Sequence, residues 1–114
     1  MSKKRINIYT NMDKIINNNN FDAIVSNNVI KYIDLVNNKF VVDCNNDILI
    51  KENNDTIVKI DFNKNIISIL LKEYNKEFYK DIETLLINRD NNIYYAKYKL
   101  IDENIINEYR IDFL

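Results

Sequence analysis

The chain's reactive side chains are 8 tyrosines, a single cysteine, and 17 carboxylates set against 16 lysines and arginines, with no histidine anywhere in 114 residues. Without an imidazole, Ser2, Ser26, Ser68 and Cys44 lack the base that usually activates a hydroxyl or thiol nucleophile. Cys44 alternates with Phe40 and Val42 and so reads as an interior residue, the usual place of a free cysteine. Carboxylates can work as acid and base when two of them face each other. Glu73 with Glu77 and Asp81 with Glu83 are close in sequence, but such pairs are more often solvated surface groups. Zinc, haem and iron–sulfur sites need histidine or several cysteines, and the aspartates Asp43, Asp47, Asp55, Asp61 and Asp81 have no calcium-loop spacing. Phosphate-binding loops need glycines, of which there are none. These residues assign no catalytic group, no metal site and no cofactor, and they point to a protein that is not an enzyme.

The aromatic residues are the richer signal. Tyr94, Tyr98 and Tyr109 fall on the same alternating face as their apolar neighbours, as do Phe40, Phe62 and Phe113. Placed inside a small barrel, they would line a cavity for one small apolar ligand, or simply fill the interior, and the same alternation serves both outcomes. Tyr9 and Tyr95 fall on the opposite face, where an aromatic patch would suit a partner protein. Stacking on single-stranded nucleic acid would need a basic groove around them. The net charge of −1 supplies no such field, and Lys3, Lys4 and Arg5 read as a solvated terminus.

Holding those aromatics in place requires strands. Short runs of period two recur between asparagine-rich turns about every eight to twelve residues, the rhythm of an all-β sandwich or barrel. Ile6, Ile8, Thr10 and Met12 share one face, as do Thr56, Val58, Ile60 and Phe62, then Tyr94, Ala96, Tyr98 and Leu100, then Tyr109, Ile111 and Phe113. Such alternation marks a strand buried on one side. The expected turns are Asn17–Asn20, Asn27–Asn28, Asn37–Asn38, Asn45–Asn46, Asn53–Asn54, Asn63–Asn65, Asn75, Arg89–Asn92 and Asp102–Asn104. In a chain without glycine or proline, asparagine is the residue that best tolerates the left-handed backbone of a hairpin. The last hairpin would set Lys97 and Lys99 on the same outer face as Glu108 and Asp112, a mildly favourable arrangement. Two stretches also carry helical spacing. They are Asn11–Asn17, and Lys72–Leu86, for which two short strands near Glu77–Lys80 and Ile82–Asn88 are the alternative.

The length is that of one domain, 1–114. Hydrophobic residues at 46% give it a core without disulfide or metal. A lone thiol and the lack of an apolar leader point to the cytoplasm, and no apolar run approaches a membrane span. The scarcity of residues written in GC-rich codons points to an AT-rich genome. About ten short strands with one buried face would leave open edges in a sandwich, and a barrel removes them by pairing early strands with late ones. An antiparallel β-barrel of eight to ten strands is therefore expected in preference to a sandwich, a preference that also counts the family resemblance that follows.

The order of these runs resembles the YwiB-like proteins, a bacterial group of unknown function with a calycin-like (lipocalin-like) β-barrel. The likeness runs from Arg5–Met12 through Phe21–Asp34, Lys39–Cys44 and Thr56–Phe62, and is closest at YYAKYKL and YRIDF in the final pair Ile93–Ile101 and Ile105–Phe113. The segment FYKDIETLLIN departs from the family, which carries a tyrosine–glycine turn there. The resemblance implies a calycin-like barrel and no activity. The functional expectation is a binder of a small apolar ligand around Tyr94, Tyr98, Tyr109, Phe40 and Phe62. The alternative is a protein-interaction or homodimerisation module that uses an outer face. Neither a nucleic acid nor a membrane is expected as a partner.

Overall fold

A computed structural model of the chain describes residues 2–114. Ten strands run in order: β1 (Ser2–Met12), β2 (Ile15–Ser26), β3 (Val29–Ile33), β4 (Lys39–Asp43), β5 (Ile48–Glu52), β6 (Thr56–Asp61), β7 (Ile66–Leu71), β8 (Lys76–Arg89), β9 (Ile93–Leu100) and β10 (Ile105–Phe113). Each pairs antiparallel with its successor, and β1 returns to β10 with Ile8 opposite Ile111, closing the ring. No helix occurs among the described residues, so none is long and apolar enough to cross a membrane. Closure satisfies the backbone of what would otherwise be two terminal edges.

The turns show how a glycine-free chain manages this. Asn27 and Asn28 both take positive φ (52° and 62°), as do Asp13 and Lys14, which makes two-residue hairpin loops of the type whose twist matches the flanking strands. In the four-residue loops 44–47, 62–65, 72–75 and 101–104 the last residue takes the left-handed region, as Asp47, Asn65, Asn75 and Asn104 respectively. Aspartate and asparagine side chains hold several turns from within. Asp43 Oδ1 accepts from the Asn45 and Asn46 amides, Asp61 Oδ1 from those of Asn63 and Lys64, and Asp90 Oδ1 from those of Asn92 and Ile93. Asn53 Oδ1 does the same for Asp55 and Thr56. These side chains supply locally what glycine supplies elsewhere.

The interior is built from the alternating faces. Ile6, Ile8, Ile30, Val42, Leu49, Ile60, Ile67, Ile82, Ala96 and Ile111 are buried, with Tyr32, Tyr94, Tyr98 and Tyr109 among them. The expected faces of β1, β6, β9 and β10 thus point inward.

Three local expectations are corrected. Asn17–Asn20 is extended β2, paired with Thr10–Asn7, because the hairpin turns earlier at Asp13–Lys14 and the ladder with β1 then runs unbroken from Met12↔Ile15 to Ser2↔Val25. An Asn7-to-Asn20 side-chain hydrogen bond of 2.8 Å ties the run to its neighbour. For the same reason Asn11–Asn17 is not helical. The stretch Lys72–Leu86 is neither a helix nor two short strands. After the 72–75 loop it is the single strand β8, whose first half pairs with β7 and second half with β9, with a register shift at Thr84–Leu86. Its helically spaced Tyr74, Phe78, Leu85 and Leu86 are exposed and only Ile82 is buried. A helix here would leave β7 and β9 without a ladder between them, and ring closure outweighs a weak local propensity. The final hairpin forms as expected and sets Lys97 opposite Glu108. Glu108 takes its close bond from Tyr95 Oη (2.6 Å), while Asp112 pairs with Arg110.

Candidate functional site

Because the strands alternate in direction, the turns after β1, β3, β5, β7 and β9 gather at one end of the barrel. The other turns and both termini lie at the opposite end. Each end holds a cavity.

The cavity at the first end has a volume of about 560 Å³, within the roughly 300–1,000 Å³ typical of small-molecule sites. Its buried apolar base is Ile8, Leu49 and Ile60. One wall is a stack of three rings. Phe21 lies 5.3 Å from Tyr32, and Tyr32 lies 4.8 Å from Phe40 with the planes within 1° of parallel. Adjoining the stack, Tyr109 and Tyr32 share a buried hydroxyl–hydroxyl bond of 2.5 Å, and Tyr98 Oη reaches Met12 Sδ at 3.8 Å. Burial holds both Tyr32 and Tyr109 above the ordinary phenol range. The mouth is formed by Asn17 and Asn19 of β2 and by Asp34, Leu35 and Val36 of the β3–β4 turn. Leu35 and Val36 are about three-quarters exposed, as 76% and 74%. The β2–β3 ladder covers only Ile24–Ser26, so beyond Ile24 the two strands that flank this cavity are not paired to each other. Lys51 also lines the space. Register places it between Phe40 and Val58, on the face of β5 that buries Leu49.

The cavity at the second end, about 660 Å³, is more polar. Tyr94, Cys44, Phe113, Arg89 and the 90–92 turn line it. Buried Asp47 organises that end. Its Oδ1 accepts from Tyr94 Oη at 3.1 Å, and its Oδ2 lies 3.7 Å from the Arg89 guanidinium, which also donates to the Cys44 carbonyl at 2.8 Å. Burial first, then the charges of Asp43 and Asp47, pushes the Cys44 thiol up to about 11, so it is protonated and a poor nucleophile at neutral pH.

Of the residues anticipated as a ligand site, Tyr98, Tyr109 and Phe40 line the first cavity together. Tyr94 belongs to the second. Phe62 is buried in the 62–65 loop against Tyr98, at 5.4 Å between ring centres, and lines neither. Tyr9 and Tyr95 are only half-buried and share an outer groove with Glu108, Arg110 and Asp112. Sequence reasoning missed Phe21, Tyr32 and Lys51. The signal was the period-two spacing of Ile30 with Tyr32 and of Leu49 with Lys51, in strands too short to stand out. Among the described residues no three of the metal-ligating types converge.

No protein-family model matches the chain, and no curated protein or solved structure matches it. Fold and geometry define a closed ten-stranded antiparallel barrel with an aromatic-walled cavity at one end.

Proposed function

We propose that the protein is a non-catalytic, calycin-like barrel that binds a small apolar molecule in the cavity between Phe40, Tyr98 and Tyr109. The observation that carries this is the cavity itself: about 560 Å³ with a predominantly apolar lining, set beside the packed apolar core. A ten-stranded meander is wide enough to hold one ligand. The same closed meander supports the YwiB-like resemblance, and the lone, protonated thiol suits a cytoplasmic setting. Aromatic walls provide large contact areas without fixed hydrogen-bond geometry, which suits a hydrophobic guest.

A second reading, an interaction or homodimerisation module, draws on the exposed Ile15, Ile16, Ile33, Leu35 and Val36 around the same end. Native mass spectrometry of the protein purified from its own host separates the two. A recurring small adduct released on denaturation is the expected result. A bare monomer overturns the ligand reading, and a bare dimer transfers the argument to the second.

A further inference from the structure

Lys51 occupies a position where barrel alternation calls for an apolar residue. Its cross-strand neighbours are Phe40 and Val58, its same-face neighbour on β5 is buried Leu49, and it lines the first cavity. Two other lysines find carboxylates: Lys72 meets Glu52 and Lys80 meets Glu103, each at 2.7 Å. Lys51 is half-buried yet takes part in none of the ion pairs or side-chain hydrogen bonds formed among the described residues. The other charged group lining the cavity, Asp34, is fully engaged. Its Oδ1 accepts from the Val36 and Asn38 amides at 3.0 and 2.9 Å, and its Oδ2 from Asn38 Nδ2 at 2.9 Å. One charge in this space is thus bonded into the framework and the other is free.

A charged group that lines a largely apolar cavity gains from a partner of opposite charge inside it. We infer that the missing partner is the ligand's head group and that the cavity takes a single-chain anionic amphiphile, a fatty carboxylate. The carboxylate meets Lys51 Nζ, and the chain lies along Ile8, Leu49, Ile60 and the Phe21–Tyr32–Phe40 stack. Asp34, beside Tyr32, repels an anion from that side of the mouth and so favours the β5 side. A neutral guest would fill the same volume but leave the ammonium unpaired. This inference rests on the ligand-binding reading above, and it names the chemical class of the guest.

Calorimetric titration with decanoate and with decanol, which share a chain and differ in charge, tests it. The wild type should bind decanoate at least about tenfold more tightly, the factor expected of one charge-assisted contact. Lys51→Met, folded as judged by circular dichroism, should bind the two alike with decanol affinity unchanged, and Lys51→Arg should keep the preference. Equal wild-type affinities overturn the inference, as does a decanoate preference that survives in Lys51→Met. Should Lys51→Met not fold, Lys51→Gln and the wild-type ratio carry the same decision. Binding of both compounds without discrimination leaves the ligand-binding reading standing, whereas binding of neither removes that reading as well.

Discussion

The Tyr32–Tyr109 hydroxyl pair permits a sharp test of how the cavity meets the core. The two side chains are 5% and 2% exposed, and each hydroxyl has the other as partner at 2.5 Å. Tyr109→Phe leaves the Tyr32 hydroxyl without its donor or acceptor in a low-dielectric setting, and Tyr32→Phe does the converse. Each single change should therefore cost about 1–3 kcal/mol, the desolvation penalty of an unsatisfied buried polar group. The double change removes both hydroxyls and keeps both rings, including the near-parallel stack of Tyr32 on Phe40. It should cost less than either single change or be close to neutral. The coupling, taken as double minus the sum of singles, is then about −1 to −3 kcal/mol. With a urea dependence of roughly 1–3 kcal/mol per molar, each single variant should unfold at a midpoint lower by about 1 M. Equilibrium urea melts followed by tryptophan-free tyrosine fluorescence or far-ultraviolet circular dichroism would read this directly. Zero coupling, with near-neutral single changes, would show that cavity water already satisfies both hydroxyls. The pair would then be a wet rim of the cavity rather than a strut of the core.

Alkaline pH and the second end give two more tests. Tyr94, Tyr98 and Tyr109 are raised chiefly by burial, and Tyr95 is pushed up to about 12 by burial and then by its bond to Glu108. Their folded values lie above the unfolded value near 10, so their contribution is fully present below about pH 10 and is lost as pH rises through the folded values. Stability measured in urea at a series of pH values should be flat in this respect through neutrality and fall above about pH 10, with the phenolate absorbance of the buried tyrosines appearing only on unfolding. Early titration of all 8 tyrosines in the folded state would contradict the burial. At Asp47, φ is 55° and the carboxylate accepts from Tyr94. Asp47→Asn keeps both the left-handed tolerance and an acceptor and should cost at most about 1 kcal/mol, whereas Asp47→Ala loses both and should cost about 1–3 kcal/mol in the same melts. Equal costs would remove the bond to Tyr94 from the account.

Much of the barrel is visible in the residue pattern, because one-sided burial imposes period two on every inward face. β1, β9 and β10 are long enough to show it, and Ile6, Ile8, Tyr94, Ala96, Tyr98, Tyr109 and Ile111 are all buried. β8 is less legible for a physical reason. It hands its hydrogen bonds from β7 to β9 halfway along and carries a register shift, so buried Ile82 and half-buried Thr84 and Ile87 do not keep one phase. Its exposed Phe78 and Leu86 then imitate a helical stripe. The Asn17–Asn20 run misleads in the opposite direction. Asparagine prefers turns in isolation, but the pairing of β2 with β1 fixes its backbone from outside. Three of the five residues anticipated as a ligand site line one cavity together, and alternation does predict that Tyr94, Tyr98 and Tyr109 point inward. Alternation alone does not predict the depth at which each one sits, and depth separates Tyr94 at one end from Tyr98 and Tyr109 near the other.

That separation gives the two ends different characters. At the terminal end the polar groups answer one another: Asp47 is bonded by Tyr94, faced by Arg89, and Arg89 is spent on the Cys44 carbonyl. Such a closed network fixes a structure and leaves little to offer a ligand. At the other end Asp34 is satisfied by its own turn, the two tyrosine hydroxyls by each other, and Lys51 by no ion pair or side-chain hydrogen bond among the described residues. Sequences that are locally consistent elsewhere tend to break their own rules where function intervenes. An inward lysine between Phe40 and Val58 is such a break, and it stands in the cavity with the aromatic stack, the exposed Leu35 and Val36, and the unpaired stretch between β2 and β3. A barrel maintained only as a filled core would gain by replacing Lys51 with methionine or leucine. Its presence among apolar walls suits the anionic chain proposed above as the guest.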